Sequence, residues 1–337
     1  MLLTRKSGCK GTNKITNKQV IMKIFSIFAS EMSKITELSI LIPNYNTVCL
    51  PLVQQLQALL QATLIPYEIL VGDDGSDNKE TIASNLPISS LSNCQYILRE
   101  QNVGRAVIRN FLAQKAQYSF LLFIDSDMTV LNNQFITRYL KCPCLGVICG
   151  GVSIHSDEEC LKDRSVSSRL QGKNLRYLYE KAEEDKHIAS QRQASPYQHL
   201  HTANLLIRRE VMLQHPFDER FRHYGYEDVL LGKTLRQHRI PITHIDNPLG
   251  FCTFETNADF VSKTEEGLRT LYTFQSELKG YSRLLTLVSG IHIPLILSII
   301  RLGHRLFHRI ERRNLCGPHP SLLIFKLYRL GYFLSLH

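Results

Sequence analysis

The sequence predicts an α/β protein with a Rossmann-like, mostly parallel central sheet flanked by helices. Three observations carry that prediction. From Leu38 onward, apolar runs alternate with stretches whose apolar residues recur at helical spacing. Two acidic clusters follow such runs directly, and the strand carboxyl ends are where open parallel sheets bind ligands. The composition, 44% hydrophobic and 21% charged in 337 residues, suits a globular protein with a sizeable core.

The elements follow in order. Leu38–Pro43 reads as a buried strand stopped by proline. Residues 50–63 carry Leu52, Leu56, Leu59 and Leu60 at helical spacing. Tyr67–Gly72 is a second strand ending in Asp73-Asp74-Gly75-Ser76, followed by a short helix from Asp77 to Leu86. Cys94–Leu98 is a third strand and Val103–Ala116 a helix. Ser119–Ile124 is a fourth strand ending in Asp125-Ser126-Asp127. Leu145–Ile154 reads as one glycine-rich strand. Residues 157–198 are polar, with a helical stretch near 170–185 in what reads as a mobile loop. His201–Ile207 and Thr243–Ile245 are strands, and Val229–His238 and 260–278 are helices.

The net charge of +10 belongs to the two ends. Residues 1–31 hold six Lys/Arg and one acid, and residues 281–337 hold eight and one. Residues 32–280 hold 26 basic and 28 acidic residues, a balance of −2. A near-neutral core argues against a nucleic-acid partner. The reading is a main domain over 36–280, an extended or disordered segment over 1–35 and a basic appendage over 281–337. The leader lacks a convincing signal h-region, and Met32 stands just before the first strand. A leader lying on a membrane is the alternative. Nine cysteines, an odd number without a CxxC pair, predict reduced thiols and a cytoplasmic protein.

Each motif has an ordinary and a chemical reading. Asp125-Ser126-Asp127 is either a capped strand-end turn or an oxygen-ligand site for Mn²⁺ or Mg²⁺ against a diphosphate. Asp73-Asp74-Gly75-Ser76 is either an Asx turn or a carboxylate aimed at a nucleobase edge. Asn102-Val-Gly104-Arg105, with Arg109 one turn on, is either a capped helix or a phosphate site. Glu227-Asp228 either complements a helix dipole or supplies a general base for a sugar hydroxyl.

Taken as a set, the segments LSILIPNYN (38–46), EILVGDDGS (68–76), NVGRAVIRN (102–110), LLFIDSD (121–127) and FDERFRHYGYED (217–228) resemble the family 2 glycosyltransferases of GT-A fold. The resemblance spans roughly residues 36–280. It implies inverting transfer of a hexose or N-acetylhexosamine from a nucleotide sugar, expected to be UDP-linked, to a glycan or lipid-linked acceptor, dependent on Mn²⁺ or Mg²⁺. Pro43, Tyr45 and Asn46 would line the nucleoside pocket. Asp74, with Asp73 beside it, would bind the base. Asn102, Gly104, Arg105 and Arg109 would approach the base or diphosphate. Asp127 would be the principal metal ligand, with Asp125 and Ser126 at the donor ribose and sugar and Asp125 sharing the metal. Asp228 would be the base and Glu227 an acceptor-site residue. Many relatives carry a histidine after an Asn-Pro like Asn247-Pro248. This chain has Leu249-Gly-Phe251-Cys252 there, which leaves His244 as the substitute ligand.

Two rival readings are a nucleotidyltransferase and a non-catalytic nucleotide-sugar-binding protein. The first lacks a Gly-rich, Lys-containing phosphate loop after the first strand. From Leu284 to Ile300 the chain has 17 residues without Lys, Arg, Asp or Glu, short for a membrane span. Arg301, Arg305 and Arg309 then flank Leu302, Leu306 and Ile310, the pattern of an amphipathic helix in peripheral contact with an anionic membrane.

Overall fold

The computed structural model describes residues 34–154 and 173–336. The expectations for residues 1–33, and for 157–172 within the polar stretch, lie outside the described residues.

A seven-stranded sheet forms the centre. In chain order its strands are β1 (Leu38–Asn44), β2 (Tyr67–Asp73), β3 (Cys94–Leu98), β4 (Phe120–Ile124), β6 (Val147–Cys149), β8 (Asn204–Arg208) and β9 (Ile242–His244). Their spatial order is β3-β2-β1-β4-β8-β6-β9. The first four run parallel, β8 runs antiparallel to both its neighbours, and β6 and β9 are again parallel. This is the mostly parallel sheet that the sequence predicts.

Period-2 alternation sends successive residues of β1 to opposite faces. Leu38, Ile40 and Ile42 pack with α1 (Leu50–Gln61) through Leu52, Val53, Leu56 and Leu60. Leu41 packs on the other face with α3 (Arg105–Lys115) through Ala106, Ile108 and Leu112. Between them α2 (Lys79–Asn85) starts at Asn78, whose side chain accepts from the amides of Glu80 and Thr81.

A second, three-stranded sheet in the order β5-β10-β7 has no counterpart in the sequence reading. It consists of β5 (Met128–Thr129), β7 (Val152–Ile154) and β10 (Leu249–Phe251). The stretch read as one strand over 145–154 divides at Gly150-Gly151. A side chain at Gly150 would lie 2.4 Å from the Tyr139 hydroxyl, and Gly151 has φ +83°. Asn204 braces the break by donating to the carbonyls of Gly151 and Asn247 and accepting from Tyr139. The Leu249-Gly-Phe251 stretch is thus a strand, and its Phe251 pairs with Met128, next to Asp127.

The remaining helices are α4 (Phe135–Leu140), α5 (Leu175–Ala182), α6 (Ala189–Ala194), α7 (Arg209–Gln214), α8 (Glu227–Gln237), α9 (Asn257–Thr273), α10 (Gln275–Leu278), α11 (Arg283–Gly290), α12 (Pro294–Leu315) and α13 (Leu322–Ser335). The expected boundary at residue 280 is not a break in packing. Phe325 and Tyr328 of α13 share a buried cluster with Leu175 and Val261, and Phe333 shares another with Phe221, Leu268 and Leu271. Cys252 is disulfide-bonded, contrary to the expectation of reduced thiols throughout. Cys49, Cys94, Cys142, Cys144, Cys149 and Cys316 are free.

Candidate active site

Asp125 stands where three cavities meet. One, of about 380 Å³, lies over the carboxyl ends of β1, β2 and β4. Of the residues assigned to donor and metal, it gathers Pro43, Tyr45, Asp74, Asn102, Gly104, Arg105, Arg109, Asp125, Ser126 and Asp127. A second, of about 340 Å³, is lined by Glu227 and Asp228 together with Arg105, Tyr226 and Arg329. A third, smaller one holds Asp125, Asp127 and Arg176. Arg105, Tyr224 and Lys263 line all three.

The two aspartates of the second strand end do different work. Asp73 is fully buried and accepts from the Asn44 amide, the Ser76 amide and hydroxyl and the Tyr96 hydroxyl. It ties β1, β2 and β3 together and does not line the cavity, so its expected place beside a base is not where the structure puts it. Asp74 does line the cavity and accepts from the amides of Val103 and Gly104. Burial raises its pKa, the two backbone donors opposing the rise. Asn46 is exposed, with φ +49°, and its side chain bonds Asp77 and the amide of Asn78 rather than reaching inward.

Gly104 begins α3 at φ +96°, and a Cβ there would sit 2.8 Å from the Arg222 carbonyl. That close approach brings the 222–224 segment over the cavity that Asp74 lines. Gly104→Ala is expected to destabilise the fold by about 2 kcal/mol or more. A lowered urea midpoint with an unchanged m-value is the readout.

Arg109 takes a different place from the one expected. Its guanidinium is 1% exposed and bridges Asp125 at 2.8 Å and Glu227 at 3.0 Å. Glu227, expected at the acceptor, is buried as the far member of this triad. Arg105, one turn earlier, stacks its guanidinium 4.8 Å from the centre of the Tyr224 ring. Against the opposing effect of burial, Asp125 and Glu227 raise its pKa further.

The carboxyls diverge in their proton affinity. Burial alone would raise the pKa of Asp125, but Arg109 and Arg105 outweigh it and hold it below its usual value. Asp127 is raised, first by desolvation within the cavity and then by Asp125 beside it. Asp228 is pushed up to about 7, first by burial and then by the charge of Glu227. Its position comes from a strained turn: Gly225 has φ +94° and Tyr226 φ +72°, and α8 starts at the next residue.

His244 is not brought to Asp127. It is buried in β9; its Nδ1 lies 2.7 Å from an Arg192 nitrogen and its Nε2 3.0 Å from the Pro196 carbonyl. Burial and the neighbouring cation push its pKa down to about 4. Both ring nitrogens are occupied, which removes it from the candidate metal ligands. No group of three or more His, Cys, Asp or Glu able to hold a metal occurs among the described residues. Asp125 and Asp127, two residues apart and lining the same cavities, are the carboxylates that remain as candidate ligands.

Sequence reasoning missed several lining residues. Phe260, Lys263, Thr264 and Gly267 face the cavities from α9 at spacing i, i+3, i+4 and i+7, a helical face that was legible but reads as ordinary packing. Arg176, paired with Glu255 at 2.6 Å and lying over Phe251, joins segments 79 residues apart and leaves no local signal.

Comparison with known proteins adds the following. The family model described as "Glycosyl transferase family 2" matches residues 39–214. A chondroitin synthase of Escherichia coli is 32% identical over 107 residues, which are 31% of this chain and 15% of that protein. An uncharacterized glycosyltransferase of Haemophilus influenzae is 31% identical over 97 residues, 29% of this chain and 38% of that one. The chain thus covers well under half the length of these relatives. Among solved structures, a Pyrobaculum calidifontis mannosyltransferase in complex with GDP-Man and Mn²⁺ superposes with a TM-score of 0.48 at 11% identity, over 88% of this chain and 84% of its own. Residues 1–349 of Staphylococcus aureus TarS give a TM-score of 0.42 at 16% identity, over 88% and 89%.

Proposed function

Since the chain belongs to glycosyltransferase family 2, whose model matches more than half of its residues, we propose that it moves a hexose or N-acetylhexosamine from a UDP-linked donor to a glycan or lipid-linked acceptor. The observation that carries this reading is the meeting of cavities at Asp125. The Asp74 side offers a nucleoside pocket, the Asp228 side offers a base, and Asp125 is common to both.

The reaction is a single inverting displacement. Asp228 takes the proton of the acceptor hydroxyl as that oxygen attacks the anomeric carbon. The bond from the anomeric carbon to the diphosphate breaks as the new glycosidic bond forms, through an oxocarbenium-like transition state. Arg105 and Lys263 line the cavities where charge grows on the leaving diphosphate. Asp127 and Asp125 would hold Mn²⁺ or Mg²⁺, whose chemistry is neutralisation of the diphosphate charge. Asp74 and Tyr45 would orient the base, and Ser126 the ribose or sugar.

A panel of nucleotide sugars tests this directly. With Mn²⁺ or Mg²⁺ present, slow hydrolysis of one UDP-sugar is expected, and chelation with EDTA should abolish it. Asp127→Ala should raise the metal concentration needed for half-maximal rate by at least tenfold. Hydrolysis indifferent to EDTA would overturn the metal assignment, and binding of GDP-linked sugars alone would overturn the UDP assignment. The anomeric configuration of a transfer product, read by NMR, tests inversion.

A further inference from the structure

Helix α12 carries an apolar stripe that nothing in the described fold covers. Leu295, Ile299, Leu302, Leu306 and Ile310 follow one another at spacings of three or four residues. Each is between 58% and 67% exposed. Phe307 and Ile296 widen the stripe at 55% and 41%. The opposite side of the helix is the one that packs: His304 is buried against Gly331 and Tyr328 of α13 and lies 2.7 Å from Glu311. The stripe is therefore presented outward by a helix already held from behind. Leu287 in α11 and Ile293 before α12 are exposed as well, at 52% and 56%.

Charge decides the partner. Along one edge of the stripe stand Arg301, Arg305 and Arg309, with Arg313 beyond them. The one acid of α12, Glu311, is taken up by His304. Guanidinium groups bordering an apolar face let their stems lie along the hydrocarbon and their heads reach anionic headgroups. No helix among the described residues is long and apolar enough to cross a membrane, so contact of this kind is lateral. Neighbouring cavities with shared walls run from the site to α11. The cavity holding Asp228 shares Tyr179, Tyr226 and Arg329 with a neighbouring cavity. That one shares Tyr281 and Arg283 with a third, walled by Leu287 and Ile291.

We propose that the outer face of α12 is a docking surface for an anionic lipid bilayer. Docking is independent of whether Asp228 acts as the base, and the test below is read without sugar transfer.

The chain contains no tryptophan, so Leu306→Trp places a single fluorophore on the stripe. Its emission should shift to the blue on adding vesicles of phosphatidylcholine with 30 mol% phosphatidylglycerol, a composition chosen for the assay at about physiological anionic charge. Flotation of the full chain with the same vesicles should recover it in the lipid fraction. Arg301→Gln/Arg305→Gln/Arg309→Gln should weaken that partition by about fivefold per charge, on the order of a hundredfold in all, and added salt should weaken the wild type in parallel. Leu302→Glu/Leu306→Glu should abolish flotation while leaving metal-dependent donor hydrolysis in buffer unchanged. An unshifted emission maximum together with wild type left at the bottom of the gradient would overturn the proposal. A chain that is dimeric by light scattering, becomes monomeric on Leu302→Glu/Leu306→Glu and ignores vesicles would assign the stripe to a second copy instead.

Discussion

Asp228→Asn is expected to lower kcat by about 10²- to 10⁴-fold while leaving donor affinity unchanged. Asparagine keeps the size and shape of the side chain but cannot accept a proton from the acceptor hydroxyl. Asp228 lines the cavity of Glu227 and Arg329 and is absent from the lining of the donor cavity, so binding and chemistry should separate. The alternative base, Glu227, has its carboxylate engaged by Arg109, whereas Asp228 accepts from the adjacent Val229 amide and has no ion pair among the described residues. The pH dependence has a definite sign. A carboxyl raised to about 7 is protonated below that value and cannot act as a base there. The rate should climb through pH 7 and level above it, and the variant should lose that limb. A variant that retained the same limb at a tenth of the rate would assign the titration to another group.

Arg109→Leu should cost about 3 kcal/mol of stability. The substitution removes the guanidinium that bonds Asp125 and Glu227 directly and leaves only the more distant charge of Arg105 to offset them. Removing one partner of a buried ion network costs about 3–5 kcal/mol, and the lower end applies because Asp125 keeps 22% of its side chain in solvent. The Arg109 Nε has no hydrogen-bond partner among the described groups, so the triad is not fully satisfied even in the wild type. Chemical denaturation checks the magnitude. Adding Glu227→Gln to Arg109→Leu should recover part of the loss, because one stranded charge disappears, and the double-mutant cycle should show coupling above about 0.5 kcal/mol. Additive losses would mean that the two groups do not communicate. Arg109→Lys should be a poor rescue, since a single ammonium cannot span two carboxylates as a planar guanidinium does.

The contrast between Arg105 and Arg109 shows what could be read from the sequence. Both stand on α3, one turn apart, and both were assigned to the donor. Helical geometry places residues i and i+4 on similar faces, and both arginines touch the same cavity, but the Arg109 guanidinium is 1% exposed and taken up by Asp125 and Glu227. The partner of Arg109, Glu227, lies 118 residues away, and no local pattern encodes that distance. Asp125-Ser126-Asp127 was legible because five apolar residues preceding an acid can only end a buried strand. Strands of two or three residues have no measurable period, so β5 and β10 were hidden, as was the break that divides β6 from β7. His244 misled for a related reason. Its position beside an Asn-Pro was visible, whereas the arginine that claims its ring comes from a helix 52 residues away.

Helix α13 gives the molecule an order of completion. Phe325 and Arg329 form part of the wall around Asp228, whereas every residue lining the donor cavity precedes Gly267. During synthesis the ribosome therefore releases all the parts of the donor pocket some sixty residues before the acceptor chamber can close. On the proposed reading, a nascent chain would carry every residue of the donor cavity before the chamber around Asp228 had all its walls. Proteolytic loss of α13 would open the same wall and would also uncover the buried clusters around Val261 and Leu268 on α9, the helix that carries Lys263 of the donor cavity.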